Sequence, residues 1–157
     1  MKNALRFLVV ALLLSSHFAY AQSTLALQEK CAEQAQKVFS DDGYAKNPTA
    51  AYSSHYNPDL DKCFMEVFNS MEVMNADAKS SPGTFWTFYS VFDAFEGKVY
   101  GACAWHTVKD KKYWEVSPVQ CDVTLPSGEK RVCRSQDEFE KLIEVYMGGA
   151  QRQQRPK

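Results

Sequence analysis

The chain has 157 residues, and its 18 Lys and Arg against 19 Asp and Glu give a net charge of −1. This balance excludes the strongly basic composition that is typical of proteins that bind nucleic acid. Hydrophobic residues make up 45% of the chain, a share that excludes a disordered polar polymer. We therefore predict a folded protein that does not bind nucleic acid.

The first 21 residues have the features of an export signal. Lys2 and Arg6 precede the apolar run Phe7–Leu14, which is too short for a stable membrane-spanning helix. Residues 19–21, Ala-Tyr-Ala, fit the small-x-small pattern of a cleavage site. Cleavage would remove two basic and no acidic residues, leaving a charge of 16 − 19 = −3. The sequence predicts an exported protein, periplasmic or extracellular, with no membrane anchor after cleavage.

Residues 22–149 are predicted to form one domain, followed by a disordered basic tail at residues 150–157. Two segments of the domain have the period of amphipathic helices. The first begins at Ser23 or Thr24 and ends near Phe39. The second begins with a capping box formed by Ser135 and Glu138. The apolar faces contain Leu27, Cys31, Ala35 and Val38 in the first helix, and Phe139, Leu142, Ile143, Tyr146 and Met147 in the second.

The region between the helices has the features of an antiparallel sheet. Period-two alternation and aromatic content predict strands in residues 61–73, 84–95, 98–107 and 113–116. A hairpin is expected across residues 120–134, around the turn Pro126-Ser127-Gly128. Residues 44–58 lack periodicity and contain two prolines, so we expect a surface loop there. The predicted fold is an α+β domain with about four to five strands, a helix at each end and stabilising disulfides.

All five cysteines lie in the predicted mature protein, where an oxidising compartment favours disulfides. Cys31 and Cys63 both lie on apolar faces and are expected to link the first helix to the first strand. Cys121 and Cys133 are equidistant from the hairpin turn and are expected to pair across it. Cys103 is the expected odd thiol, either buried or able to dimerise the chain. It could also compete for either partner, since hydrogen-bonded facing pairs suit a disulfide poorly.

Two histidines follow the export signal, and they raise the question of an enzyme. His55 has Asp59 and Asp61 close in sequence, so a general base or metal ligand is conceivable. We favour a structural role, in which the ring bonds the backbone of its loop. His106 would have to meet His55 across the fold to form a zinc or hydrolase site. Because no catalytic motif is present, we expect no catalytic residue, metal or cofactor, and keep a small hydrolase or metal-dependent enzyme as the alternative.

Aromatic residues are the strongest functional feature of the sequence. Several occupy sheet positions that a helix need not cover: Phe64, Phe68, Phe85, Tyr89, Phe95 and Tyr100. If both helices cover one face of the sheet, an aromatic face remains for docking; with one helix on each face, these side chains are buried. The predicted binding residues are His55, Tyr56, Phe85 and Tyr89. The expected partner is an unknown protein of the cell envelope, and the alternative is a small apolar ligand that the protein carries.

Overall fold

A computed structural model of the chain describes residues 24–73, 84–112 and 115–148. The predicted export signal and basic tail lie outside these residues. Helix α1 occupies residues 24–41, and a short 3-10 turn follows at Tyr44–Lys46. The remaining elements are β1 (Ala51–Asn57), β2 (Lys62–Val73), β3 (Thr84–Asp93), β4 (Val99–His106), β5 (Gln120–Thr124), β6 (Lys130–Val132) and α2 (Gln136–Met147).

The strands form one antiparallel sheet in which each strand pairs with the next along the chain, in the order β1 to β6. The α+β class and the helix at each end are confirmed, although the described part of the chain has six strands where about four to five were predicted. Every pairing in this sheet joins strands that are consecutive along the chain.

The two helices cover opposite faces of the sheet, and the alternation of β2 shows how. Cys63, Met65 and Val67 belong to one buried cluster with Cys31 and Ala35 of α1. The intervening side chains point to the other face, which α2 covers, and the core there contains Phe64, Val91, Val123, Phe139, Ile143 and Tyr146. Of the two arrangements that the sequence left open, the structure has the one with a helix on each face.

Strand β1 corrects the prediction of a loop at residues 44–58. It pairs with β2 in an unbroken register from Ala51 opposite Phe68 to Asn57 opposite Lys62. Its sequence, Ala-Tyr-Ser-Ser-His-Tyr-Asn, is mostly polar because an edge strand with partly exposed side chains needs few apolar residues. Such a strand has no clear apolar alternation, and the missing periodicity is what led to the loop prediction. The predicted strand at residues 113–116 is not found in its described part, where residues 115 and 116 are irregular.

Asn57 joins the end of β1 to the end of α2. Its side-chain oxygen accepts hydrogen bonds from the backbone N–H groups of Asp59 and Leu60, which shapes the β1–β2 turn. Its amide nitrogen donates to the carbonyl oxygens of Val145 and Tyr146 at 2.8 and 3.3 Å. Carbonyls in the last turn of a helix lack intrahelical partners, so one buried side chain satisfies groups from two distant segments.

The predicted helix start and hairpin turn are confirmed. The Ser135 hydroxyl accepts a hydrogen bond from the Glu138 N–H at 3.2 Å, and the Glu138 carboxylate accepts one from the Arg134 N–H. Gly128 has φ 86° in the turn between β5 and β6, a backbone conformation that glycine adopts without strain. These local signals place α2 and the last hairpin where the sequence indicated.

The predicted link between Cys31 and Cys63 is present, with the two Cα atoms 5.3 Å apart. The predicted bond between Cys121 and Cys133 is wrong, because Cys121 is joined to Cys103. The expectation that Cys103 is the odd thiol, free to dimerise the chain, is wrong for the same reason, and Cys133 is a buried free thiol. The reason lies in the ladder. The backbone carbonyl of Cys121 accepts a hydrogen bond from the backbone N–H of Cys133, so these two residues form a hydrogen-bonded pair. On its other side it faces Cys103 with Cα atoms only 4.0 Å apart, the closer spacing of a non-hydrogen-bonded pair.

Candidate functional site

A pocket of about 300 Å³ lies where the first turn of α2 meets the middle of the sheet. Its walls include the aromatic side chains of Phe68, Tyr89 and Trp105, contributed by β2, β3 and β4 respectively. Gln136, the first residue of α2, and Lys111 from the connection after β4 add polar groups. Five of its ten lining residues are apolar and five are polar, and His106 is among the polar ones. The pocket therefore combines an aromatic wall with several polar groups.

Tyr89 is the centre of the pocket. Its ring lies 5.1 Å from that of Phe68, 5.7 Å from that of Trp105 and 6.3 Å from that of Phe139. Its hydroxyl oxygen accepts a hydrogen bond from Gln136 Nε2 at 3.0 Å. Tilted and edge-on ring contacts of this kind hold aromatic side chains in fixed orientations. The pocket is thus formed by side chains that are already held in place.

Phe85 extends the site toward solvent. It lies two residues before Thr87 and four before Tyr89 on the same face of β3, and 49% of its surface is exposed. Hydrogen bonds in both directions with Thr107, one of them from the Phe85 N–H to the threonine hydroxyl, fix the strand at this point. Two of the predicted binding residues therefore share one face of β3: Tyr89 lines the pocket, and Phe85 lies outside its lining.

The other two predicted binding residues lie elsewhere. His55 faces the α2 side of the sheet beside Gly148, at the opposite end of the helix from the pocket: a Cβ atom at Gly148 would lie 3.0 Å from His55 Nε2. Tyr56 faces α1, where its N–H donates to Gln28 Oε1 at 2.8 Å and its hydroxyl donates to Asp61 at 2.6 Å. Both residues therefore connect helices or turns to edge strand β1, and neither lines the aromatic pocket.

Tyr56 also borders a second, charged pocket of about 240 Å³. Lys62 occupies its wall and bridges Asp93 and Glu96, each at 2.8 Å. Burial raises the pKa of Asp93, but hydrogen bonds from Lys62 and from backbone N–H groups outweigh it, and the net shift is downward. Hydrogen bonds to the Asp93 and Glu96 carboxylates raise the pKa of Lys62. One positive and two negative charges thus meet here, and Lys62 ties β2 to the β3–β4 turn.

The arrangement of histidines does not form the site that the enzyme hypothesis needs. His55 lies on β1 and faces α2, whereas His106 lies on β4 and faces the α1 side, with its ring centroid 5.2 Å from that of Trp86. In residues 24–73, 84–112 and 115–148, no group of three or more His, Cys, Asp or Glu is placed to hold a metal ion. The geometry therefore offers the enzyme alternative no support.

Sequence reasoning missed Trp105 and Gln136, whereas Phe68 is among the aromatic sheet positions that the sequence singles out. Phe68 pairs directly with Tyr89, and Trp105 pairs with Thr87. The signal that could have found them is register: once the strands are counted outward from their turns, the facing partners of Tyr89 follow. Gln136 has no such signal, because its place depends on how α2 crosses the sheet.

His55 leads to a prediction about pH. Burial lowers the pKa of this histidine, and its Nδ1 is buried without a hydrogen-bond partner among the described residues. The unfolded chain, with a histidine pKa of about 6.5, therefore binds a proton more readily than the folded chain does. Stability should be full above that pH and should fall as the pH drops through it.

We expect urea unfolding to show a larger loss of stability from pH 7.5 to pH 5.0 in the unmodified protein than in His55→Gln. Carboxylates titrate equally in both proteins, so the difference between them isolates the histidine. An identical pH dependence in the two proteins would contradict the prediction.

Comparison with protein-family models, with curated proteins and with solved structures finds no match for this chain. Among the described residues, no helix has both the length and the apolar character that crossing a membrane would require. The two disulfides fit a protein that resides outside the reducing cytoplasm. The class defined by fold and site is thus a disulfide-bonded α+β protein with an aromatic pocket.

Proposed function

We propose that this is an exported binding protein, without catalytic activity, that inserts a partner's apolar side chain into the aromatic pocket. The observation that carries the proposal is the pocket itself, with Phe68, Tyr89 and Trp105 in its walls and Phe85 exposed nearby. Aromatic residues in preformed recesses supply most of the energy at protein interfaces. The partner expected from the predicted export signal is a protein of the cell envelope.

The size of the recess favours a side chain over a large ligand. Its volume of about 300 Å³ is at the lower limit of pockets that hold drug-sized molecules. Phe85 is 49% exposed and offers a further apolar contact outside the recess. A partner that fills the pocket with one residue and covers Phe85 with the next would use both features.

The test compares the mature protein with two variants at the site. Phe85→Ser removes the exposed ring, and Thr87→Trp fills the pocket from its wall without deleting a core side chain. The matched control is Phe95→Ser, which removes another exposed phenylalanine, 63% accessible against 49% for Phe85, at the β3–β4 turn. Each protein is used as bait in affinity capture from an envelope fraction, after circular dichroism has shown that all four are folded.

We expect a specific captured protein to be reduced at least about tenfold by each site variant, the effect of losing roughly 1.4 kcal/mol, and to be retained by Phe95→Ser. Equal capture by all four proteins would exclude the pocket as the contact surface.

A carrier of a small apolar ligand is the second candidate, because the same recess could bury one small molecule. Native mass spectrometry of the purified protein distinguishes the two. A stoichiometric bound molecule that is absent from Thr87→Trp would favour the carrier, whereas an unliganded protein that still captures its partner would favour the binding protein.

A further inference from the structure

The aromatic pocket changes in character from its inner end to its rim. Tyr89 and Trp105 are buried and form the inner, aromatic end. Thr107 and Lys111 line the same pocket but are exposed to solvent. The pocket therefore runs from a buried apolar end to a rim that carries a hydroxyl group and a positive charge.

The charges around the pocket are of one sign. None of the ten described residues that line it is acidic, and Lys111 is the lysine among them. His106 also borders the pocket, but its ring lies on the other face of the sheet, against Trp86. Within residues 24–73, 84–112 and 115–148, no carboxylate forms an ion pair with Lys111. The Lys111 ammonium group is therefore available to an anionic ligand.

A tight turn after β4 holds Lys111 at the rim. The Lys111 N–H donates to the Val108 carbonyl oxygen at 3.2 Å, and Asp110 between them has a φ of 63°. Aspartate is among the few residues that adopt this left-handed conformation readily. Because Val108 and Lys111 both line the pocket, the turn brings its two ends to the same recess.

The polar neighbours decide where an anion would lie. The Gln136 amide nitrogen donates to the Tyr89 hydroxyl at 3.0 Å and to Glu140 Oε1 at 2.8 Å, which uses both of its hydrogens. The Glu140 carboxylate also repels an anion from the α2 side. The Thr107 hydroxyl oxygen accepts a backbone N–H at 3.3 Å and donates to no described residue, so its hydrogen is left for a ligand. An anion is therefore expected beside Lys111 and Thr107.

We propose that the pocket binds the C-terminal residue of a partner protein, with its apolar side chain against Tyr89 and Trp105 and its α-carboxylate on Lys111 and the Thr107 hydroxyl. This inference rests on the proposed function and specifies the part of the partner that is bound. The preceding residue of the partner then contacts Phe85, whose N–H bonds the Thr107 hydroxyl.

The choice of a C-terminal residue follows from the polarity of the pocket. A residue that enters side chain first leaves its backbone at the rim, where the cation lies. Only a C-terminal residue has a full negative charge on its backbone, whereas an internal residue presents neutral peptide groups there. Capture of a C-terminal carboxylate is an established mode of peptide recognition.

The experiment is an NMR titration of the mature protein with N-acetyl-phenylalanine and with N-acetyl-phenylalaninamide, followed at the backbone amides of the pocket residues. The two probes have the same ring and differ in the charge at the C-terminus. We expect the acid to bind about three- to tenfold more tightly than the amide, the effect of an exposed ion pair with a supporting hydrogen bond. The difference should shrink as salt is added, because the pair lies at the rim.

A third probe separates a C-terminal carboxylate from an acidic side chain. N-acetyl-Phe-Glu-amide carries the same charge on the side chain of the next residue, and the entropy cost of ordering that flexible side chain offsets the gain from the ion pair. We therefore expect this probe to bind like the amide. Binding as tight as that of the acid would overturn the inference, because the site would then accept a charge that is not on the backbone.

Two lysine variants test the residue that holds the carboxylate. Lys111→Gln should abolish the preference for the acid while leaving the affinity for the amide unchanged. The matched control is Lys109→Gln, which removes the same charge from the same turn but from outside the pocket lining, and it should keep the preference. A preference that survives in Lys111→Gln would overturn the inference.

The titration also distinguishes this inference from the proposed function. Equal binding of acid and amide, lost in Thr87→Trp, would overturn the C-terminal carboxylate and leave the pocket as a site for an internal side chain. Binding of neither probe would overturn the inference together with the pocket as a binding site.

Discussion

Replacing Cys31 and Cys63 together by alanine is expected to lower the free energy of unfolding by about 3–4 kcal/mol. The two cysteines are 32 residues apart in sequence, and a cross-link of that span removes roughly this much chain entropy from the unfolded state. The bond also fixes α1 to the sheet. Beyond it, α1 is held by a small cluster around Ala35 and by side-chain hydrogen bonds such as Gln34 to the Ala94 carbonyl at 2.9 Å.

The measurement is urea unfolding of the double variant and the unmodified protein, with amide hydrogen exchange to follow α1. We expect amides of residues 24–41 to lose protection first, because the disulfide is the covalent link between that helix and the sheet. Cys133→Ala is the matched control: it removes a buried sulfur without breaking a link and should cost about 1 kcal/mol. A double variant no less stable than this control would show that the link does not hold the fold.

Phe139→Ala is expected to be the most destabilising single substitution in α2, at about 3–5 kcal/mol. The side chain is fully buried and packs directly above Gly101 of β4, where an added Cβ atom would lie 3.2 Å from the phenyl Cε2. Glycine has no side chain that could move into the space that the ring leaves. The cavity should therefore remain open, and the cost should be near the upper part of the range.

Thermal and urea unfolding measure this effect. Val145→Ala, on the same helix but 44% exposed, removes apolar atoms that contact mostly solvent and should cost under about 1 kcal/mol. A loss in Phe139→Ala no larger than that of the control would mean that α2 does not close the core as described.

Local chemistry made most of the fold predictable. The Ser135 and Glu138 capping box, the glycine of the last hairpin and the alternation of β2 each specify structure within a few residues, and each is confirmed. Sequence reasoning does not find strand β1, because β1 is a strand through its pairing with β2. Amino-acid composition carries no information about that pairing. Strand propensity reflects how well a side chain packs on a pleated, half-buried surface. At the exposed edge of a sheet, polar side chains are accommodated as well as apolar ones.

The candidate site was predictable only in part, for the same reason. Phe85 and Tyr89 share a face of one strand, and that follows from period two. The helix-on-each-face arrangement then decided which aromatic residues are buried, and it placed His55 and Tyr56 away from the pocket. The cysteine pairing depended on whether a facing pair is hydrogen-bonded, a property of the whole ladder that equal spacing from a turn cannot reveal.

The bond from Asn57 to Val145 spans 88 residues, and it has a consequence for synthesis. The sheet grows by contacts between consecutive strands, but the core beneath α2 stays uncovered until the last described helix has left the ribosome. A nascent chain that stops before α2 would present Phe64, Val91 and Val123 to its surroundings, a surface prone to aggregation. Completion of the chain, rather than formation of the sheet, is therefore the event that closes the molecule.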